Sequence, residues 1–206
     1  MAMNVIGLIG WIATWVGLLY VLVVFLSQGF IFLFVLPLCY CVYRVLIQLR
    51  YFPTAFRMVR VLRTYPWQVL PGVPRGLDEH PEAEDGGIWV EIPNPAGAGH
   101  EKGIPLVFVK HHRAYWWMRR IGGPRTKPEL KAQLEPLWFA GDPRFLGVLA
   151  APAKGGDALR RLHFLYQPSA LSKTVPRRDW EDASPADLER ARQAGALFPG
   201  TVQRSR

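Results

Sequence analysis

From Asn4 to Leu49 the chain carries one formal charge, Arg44, in 46 residues. As a single helix this stretch would be roughly 69 Å long, at about 1.5 Å per residue, more than twice the ~30 Å hydrocarbon core of a bilayer. It must therefore turn back. Ser27-Gln28-Gly29 is its one polar, flexible break. The break leaves Asn4 to Leu26 and Phe30 to Leu49, each close to the about 20 residues that one crossing needs. Lipid offers no water to backbone groups, so residues 1–50 are expected to form a transmembrane helical hairpin with the lipid bilayer as first partner.

Within the second segment Pro37 predicts a kink, because it removes one backbone donor. Arg44 costs about 2.5 to 3.5 kcal/mol at a bilayer centre, whereas Val, Ile, Leu and Phe each favour insertion by about 0.3 to 0.6 kcal/mol. Thirteen such residues lie between Phe30 and Leu49, so insertion wins. Only five residues separate Arg44 from Arg50, which lets its side chain reach the headgroups. In the first segment Gly7, Gly10, Ala13 and Gly17 form a face of small residues open to close helix approach. Either the second helix of the hairpin or a second copy in a homo-oligomer fills it. Arg44, Arg50, Arg57, Arg60 and Arg63 all lie on the C-terminal flank, and the turn has no cation. Because Lys and Arg stay on the cytoplasmic side, both termini are expected in the cytoplasm of a multi-pass plasma membrane protein. A cleaved signal peptide fits less well, since no basic n-region precedes the run, the run is too long and no small-x-small site follows.

The 206 residues carry a net charge of +9, and the 23 basic and 16 acidic residues after Arg50 leave +7 there. That is chain enough for one small domain with a surface suited to anionic partners. Cys39 and Cys41 both fall inside the second segment. The remainder therefore has no disulfide framework, zinc pair or thiol chemistry, which fits a reducing compartment. Pro53 is expected to end the second helix. Residues 51–64 then read as a basic interfacial helix, with Phe56, Val59 and Leu62 recurring at threes and Arg57, Arg60 and Arg63 placed to meet anionic lipid headgroups.

Over residues 65–168 short apolar runs alternate with Gly, Pro and Asp, the pattern of strands and turns. Expected strands are Trp67 to Val73, Ile88 to Ile92, Leu106 to Val109, Leu137 to Ala140, Phe145 to Ala150 and Leu159 to Gln167. By strand periodicity Val90 and Ile92 face opposite to Trp89 and Glu91, while Leu162, Phe164 and Tyr166 face in and Arg161 and His163 face out. Gly141-Asp-Pro-Arg144 marks a hairpin turn. The acidic loop from Pro74 to Gly87 lacks the ligand spacing of a calcium site and reads as solvated. Thr126-Lys-Pro-Glu129 is a capping box that opens a short helix. In the mostly irregular tail, 169–206, Ser184, Pro185, Asp187 and Gly195 delimit one helix that docks through Leu188, and Gly200 to Arg206 is expected to be disordered. The fold class expected is membrane-anchored α+β: the hairpin, then a small antiparallel β-rich domain, a partly open barrel or a sandwich, with short helices.

Lys110 to Arg125, KHHRAYWWMRRIGGPR, is the most suggestive part of the domain. Lys110, Arg113, Trp116, Trp117, Arg119 and Arg120 combine cations with aromatic rings. Single-stranded nucleic acid is bound by such a mixture, and so is a membrane interface. The bilayer already tethered nearby favours membrane contact, or core tryptophans with a solvated basic edge, over nucleic acid. Read as a strand, the stretch puts Trp116 and Trp117 on opposite faces, one in the core and one at the interface. His111 and His112 likewise diverge and cannot chelate one metal alone.

The residues WFAGDPRFLGVLAAP, following two apolar helices, resemble uncharacterised two-helix membrane proteins of high-GC actinobacteria, and nineteen Arg against six Lys suits such a source. No activity attaches to that resemblance. The chain has no phosphate loop, nucleophile elbow, HExxH or paired CxxC, so no catalytic, cofactor or metal residues are expected. The expected function is that of a non-enzymatic integral membrane protein whose cytoplasmic domain meets the inner membrane face or a protein partner. The alternatives are a tethered binder of nucleic acid or another polyanion, and a hydrolase whose groups converge from distant positions.

Overall fold

The computed structural model describes residues 2–25, 31–70, 72–73, 76–77, 89–94, 103–109, 114–121, 127–153, 156–171, 180 and 183–197. The Ser27-Gln28-Gly29 turn, most of the acidic loop, Lys110 to Arg113 and the C-terminal residues from Phe198 lie outside them. The chain divides into two compact units, Met1–Phe56 and Arg57–Arg206.

The first unit holds α1 (Ala2–Phe25) and the larger part of α2 (Ile31–Thr64). Both are long and apolar enough to cross a membrane. Their contacts run in opposite chain directions, so the helices are antiparallel. Gly7 faces the Gln48 side chain, and Trp11 meets Arg44 at 5.2 Å and Tyr40 at 5.5 Å. The polar Thr14 hydroxyl is satisfied within its own helix, donating to the Gly10 carbonyl at 2.9 Å.

Pro53 does not end the second helix, which runs unbroken through both Pro37 and Pro53 to Thr64. A helix-interior proline costs about 3 kcal/mol. Burial beyond it offsets that loss, since Met58, Val61 and Tyr65 are all buried. These positions, spaced three and four apart, stay on one face of a 3.6-residue helix. The expected apolar row does not: Phe56 is exposed and Val59 and Leu62 are half-buried, because a repeat of three alone drifts around the helix.

Among the described residues of the second unit, seven antiparallel strands form one sheet. They are β1 (Gln68–Val69), β2 (Gly76–Leu77), β3 (Trp89–Ile92), β4 (Ile104–Phe108), β5 (Trp138–Asp142), β6 (Leu146–Ala153) and β7 (Gly156–Tyr166), in the order β1-β5-β6-β7-β4-β3-β2. The edges are thus two strands adjacent in sequence. Were the sheet flat, its edges would stand about 29 Å apart at about 4.8 Å per strand. Seven residues of chain from Val69 to Gly76 reach at most about 25 Å. The sheet must curl, giving the half-barrel form of the partly open barrel, and the sandwich alternative is set aside.

The curl encloses Val90, Leu106, Phe108, Phe139, Leu149 and Leu165, capped by Trp117, Ile121 and Leu134 from the region of α3 (Ala114–Ile121) and α4 (Pro128–Ala132). The opposite face is buried too, at Ala140, Val148, Ala150 and Phe164. Near that face lie the end of α2, where Tyr65 feels the charge of Asp142, and α5 (Pro185–Gln193), whose Asp187 pairs with Arg144. A sheet covered on both sides erases simple in–out alternation. Trp89 is accordingly buried beside Val90. In β7, Phe164 is buried and Arg161 exposed as expected, but Leu165 and His163 are buried on the α3 side, so the expectation that His163 faces out does not hold.

Other boundaries also move. The first expected strand shrinks to Gln68–Val69, and Gly76–Leu77 adds a short strand within the acidic loop. In the hairpin Gly141 and Asp142 belong to the ladder, and Phe145 N–H closes the turn on the Asp142 carbonyl at 2.9 Å. Gly141 sits at φ +147°, opposite Gly147, and a side chain there would run into the Gly147 backbone. Helix α4 has Lys127 rather than Thr126 at its N-cap, with Pro128 first inside it. Helix α5 follows expectation: Ser184 and Asp187 form a reciprocal capping box, and Gly195 follows at φ +102°.

Candidate functional site

The described part of the basic stretch, Ala114–Ile121, is a helix rather than the strand on which the expected facing of its residues rests. In α3 Trp117 and Ile121, four apart, turn inward while Arg119 between them stays exposed, which the alternation of a strand would not permit. Trp117 is 1 % exposed, 6.2 Å from the Phe108 ring and 6.5 Å from His163. His163 lies against Phe108 at 4.9 Å, with Nε2 3.1 Å from the Val109 carbonyl. This anchoring fixes which side of α3 remains outside. Tyr115, Met118 and Arg119 are exposed, and Trp116 and Arg120 are half-buried.

Trp116 is the centre of the outer face. It stands edge-on to Trp117 at 5.0 Å, and two guanidinium groups lie over its ring: Arg120, one helical turn on, at 4.1 Å, and Arg161 of β7 at 4.4 Å. Arg120 is held in place, its Nε donating to Gln133 Oε1 at 3.0 Å and its Nη1 to the Trp116 carbonyl at 3.2 Å. Arg119 lies 5.8 Å from the Tyr115 ring. Burial first, then the neighbouring charges of Arg161 and Arg119, push the Arg120 pKa below its ordinary value. Among the described residues no carboxylate lies within ion-pair distance of these three arginines.

The other expected contacts scatter. Lys110 and Arg113 lie outside the described residues. Arg57 is half-buried and Arg63 exposed near the end of α2. Arg60 lies by the C-terminus of α5, where a methyl on Gly195 would be 3.8 Å from its guanidinium. A cation there meets the negative end of a helix dipole, which gives Arg60 a structural role. On α1 only Gly7 is used by the second helix, since a methyl there would come 2.7 Å from Gln48 Nε2, while Gly10 and Gly17 have open space. A face spaced mainly in threes divides, as it does in α2.

Sequence reasoning missed Arg161 as a partner of Trp116, and Gln133 entirely. It also read Arg144 as a turn residue. Arg144 is buried, with Nη2 2.7 Å from Asp142 Oδ2 and 3.0 Å from Asp187 Oδ2, and its carbonyl accepts from Trp180 Nε1 at 3.2 Å. This network fastens α5 to the hairpin. Bonds to Asp142 raise the Arg144 pKa further, so it remains a cation throughout. Nearby, the buried Tyr65 hydroxyl has no hydrogen-bond partner among the described residues, and burial pushes its pKa up. Among the described residues no group of three or more His, Cys, Asp or Glu side chains is arranged to hold a metal ion. No family model matches the chain, and no curated protein or solved structure matches it either.

Proposed function

We propose that this chain is a non-enzymatic integral membrane protein that crosses the plasma membrane twice and presents its β-domain on the cytoplasmic side for contact with the inner membrane face. The observation that carries the reading is the exposure of the two long apolar helices. Ile6, Ile9, Val23, Phe32, Leu33 and Leu36 all point away from the protein. A core helix of a water-soluble protein would bury such side chains; here lipid is the partner that accounts for them. The arginines that follow the spans, with none in the turn, favour a cytoplasmic domain. The outer face of α3 then offers cations with Tyr115 and Met118, a combination suited to headgroup depth.

The test is topology. In a chain with Cys39 and Cys41 replaced by Ala, a single cysteine is placed at Gln28 or at Ser205 and challenged in intact cells with a membrane-impermeant thiol reagent. Gln28→Cys should label and Ser205→Cys should label only after lysis. Labelling of Ser205→Cys in intact cells would reverse the orientation.

A further inference from the structure

We propose that Arg120 and Arg161, set over the Trp116 indole with Arg119 beside them, form a site for the phosphate of an anionic lipid headgroup. The inference rests on the reading of the domain as membrane-tethered and adds to it a defined site and a ligand. Its starting point is imbalance. Arg120 and Arg161 can be no farther apart than the sum of their distances to the ring they share, 4.1 and 4.4 Å. Two guanidinium groups that share one ring can both donate charge-assisted hydrogen bonds to the oxygens of a phosphate brought to the edge of that ring.

Like charges so near one another repel, and no described carboxylate offsets them. The Arg144 network shows how this same protein treats an arginine used only to hold structure together. It surrounds that arginine with Asp142 and Asp187. The α3 cations have instead a ring and an amide, Gln133, as partners, which orient without neutralising. A bound anion supplies what is missing, and it would reverse the disfavour that burial and neighbouring charge impose on the Arg120 cation.

Two features favour lipid over nucleic acid. Trp116 is half-buried, edge-on to Trp117 and already covered by two guanidinium groups, which leaves little ring face for a base to stack on. Beside it Tyr115 and Met118 are exposed, 62 % and 44 %, as side chains that enter the headgroup layer must be.

The experiment uses the full chain in neutral detergent and isothermal titration. The probes are dioctanoyl phosphatidylglycerol, dioctanoyl phosphatidylcholine, inorganic phosphate and a short single-stranded oligonucleotide. Saturable binding of phosphatidylglycerol is expected, with phosphatidylcholine and free phosphate much weaker. Arg120→Gln and Arg161→Gln should each weaken it at least about fivefold, the factor expected for one cation near an anionic lipid. Arg161→Lys should recover part of the loss, since the charge remains and the fork is gone. Each variant is checked by its thermal midpoint, which for the exposed Arg161 should fall by no more than the few degrees that one cation–π contact supplies. Phosphatidylglycerol affinity unchanged in both Gln variants would overturn the proposal, as would free phosphate binding as tightly as the lipid or the oligonucleotide binding more tightly. If the combined Arg57→Gln, Arg60→Gln, Arg63→Gln variant alone abolishes binding, the site at Trp116 is refuted while the membrane-tethered reading stands. Failure of that reading would show separately, in the labelling pattern at Ser205.

Discussion

Trp116 and Trp117 are neighbours in sequence with opposite fates, and the reason is helical. Trp117 sits in line with Ile121 on the inner face of α3, while Trp116 is carried about 100° round the helix to the outer one. Trp117→Ala should therefore lower stability by about 3 to 5 kcal/mol, the cost of emptying a core site of that size. Trp116→Ala loses a half-buried ring and two cation–π contacts of about 0.5 to 1 kcal/mol each, and should stay nearer 2 kcal/mol. Urea unfolding of the two variants checks this, and equal losses would show that the outer ring is part of the core. That the two rings differ was legible in the sequence, but for the wrong reason. A strand also separates adjacent side chains, so a correct contrast followed from a mistaken element. His163 shows the opposite case: its placement as an outward residue followed from treating one face of β7 as solvent, and no local pattern reveals that helices cover both faces.

At the level of elements the strongest sequence marks were caps and turns, because their chemistry is local. Ser184, Pro185, Asp187 and Gly195 start and stop α5 where expected. The added finding is that Asp187 does two jobs, accepting from the Ser184 backbone at 3.3 Å and from Arg144 at 3.0 Å. Partial burial works against its charged form, but the bonds from Ser184 and Arg144 outweigh that and hold its pKa below the usual carboxylate value. A depressed folded-state pKa means stability that is fully present above the unfolded value, about 3.9, and is lost as pH falls through the folded one. Unfolding midpoints measured from pH 7 down to pH 3 should thus fall less steeply at the acid end for Asp187→Asn than for the wild type, with the variant already weaker at pH 7. Parallel acid limbs would show that Asp187 does not couple to folding. Helix α2 is the element the sequence misplaced. Pro53 is a sound stop in isolation, and only the burial of Met58, Val61 and Tyr65 beyond it, a tertiary effect, carries the helix onward.

For the molecule as a whole, two long apolar helices followed by an antiparallel sheet with short helices were plain from charge and hydropathy. Sheet order was not, because the pairing of β4 with β7 and of β1 with β5 joins segments far apart in sequence. Those pairings also explain why the last turns of α2 matter to a domain that the sequence appeared to begin at residue 65. A seven-stranded half-barrel has two faces to cover, and α3 with α4 covers one. The other is buried as well, and among the described residues outside the sheet the two ends of the domain also supply buried side chains, Met58, Val61 and Tyr65 before it and Ala191, Ala194 and Ala196 after it. Burying each large apolar side chain contributes about 1.5 to 3 kcal/mol. Three of them together rival the 5 to 15 kcal/mol of net stability that a domain of this size has in total. Two shortened chains therefore separate the ideas. One beginning at Tyr51 keeps the helix end and should unfold in a single cooperative transition. One beginning at Trp67 keeps every strand of the sheet yet loses Met58, Val61 and Tyr65, and should melt at least about 10 °C lower or fail to fold, at roughly 2 to 4 °C per kcal/mol for a chain of this length. Equal thermal midpoints for the two would mean that the end of α2 is a tether only, and that the second face of the sheet is closed by the C-terminal helix alone.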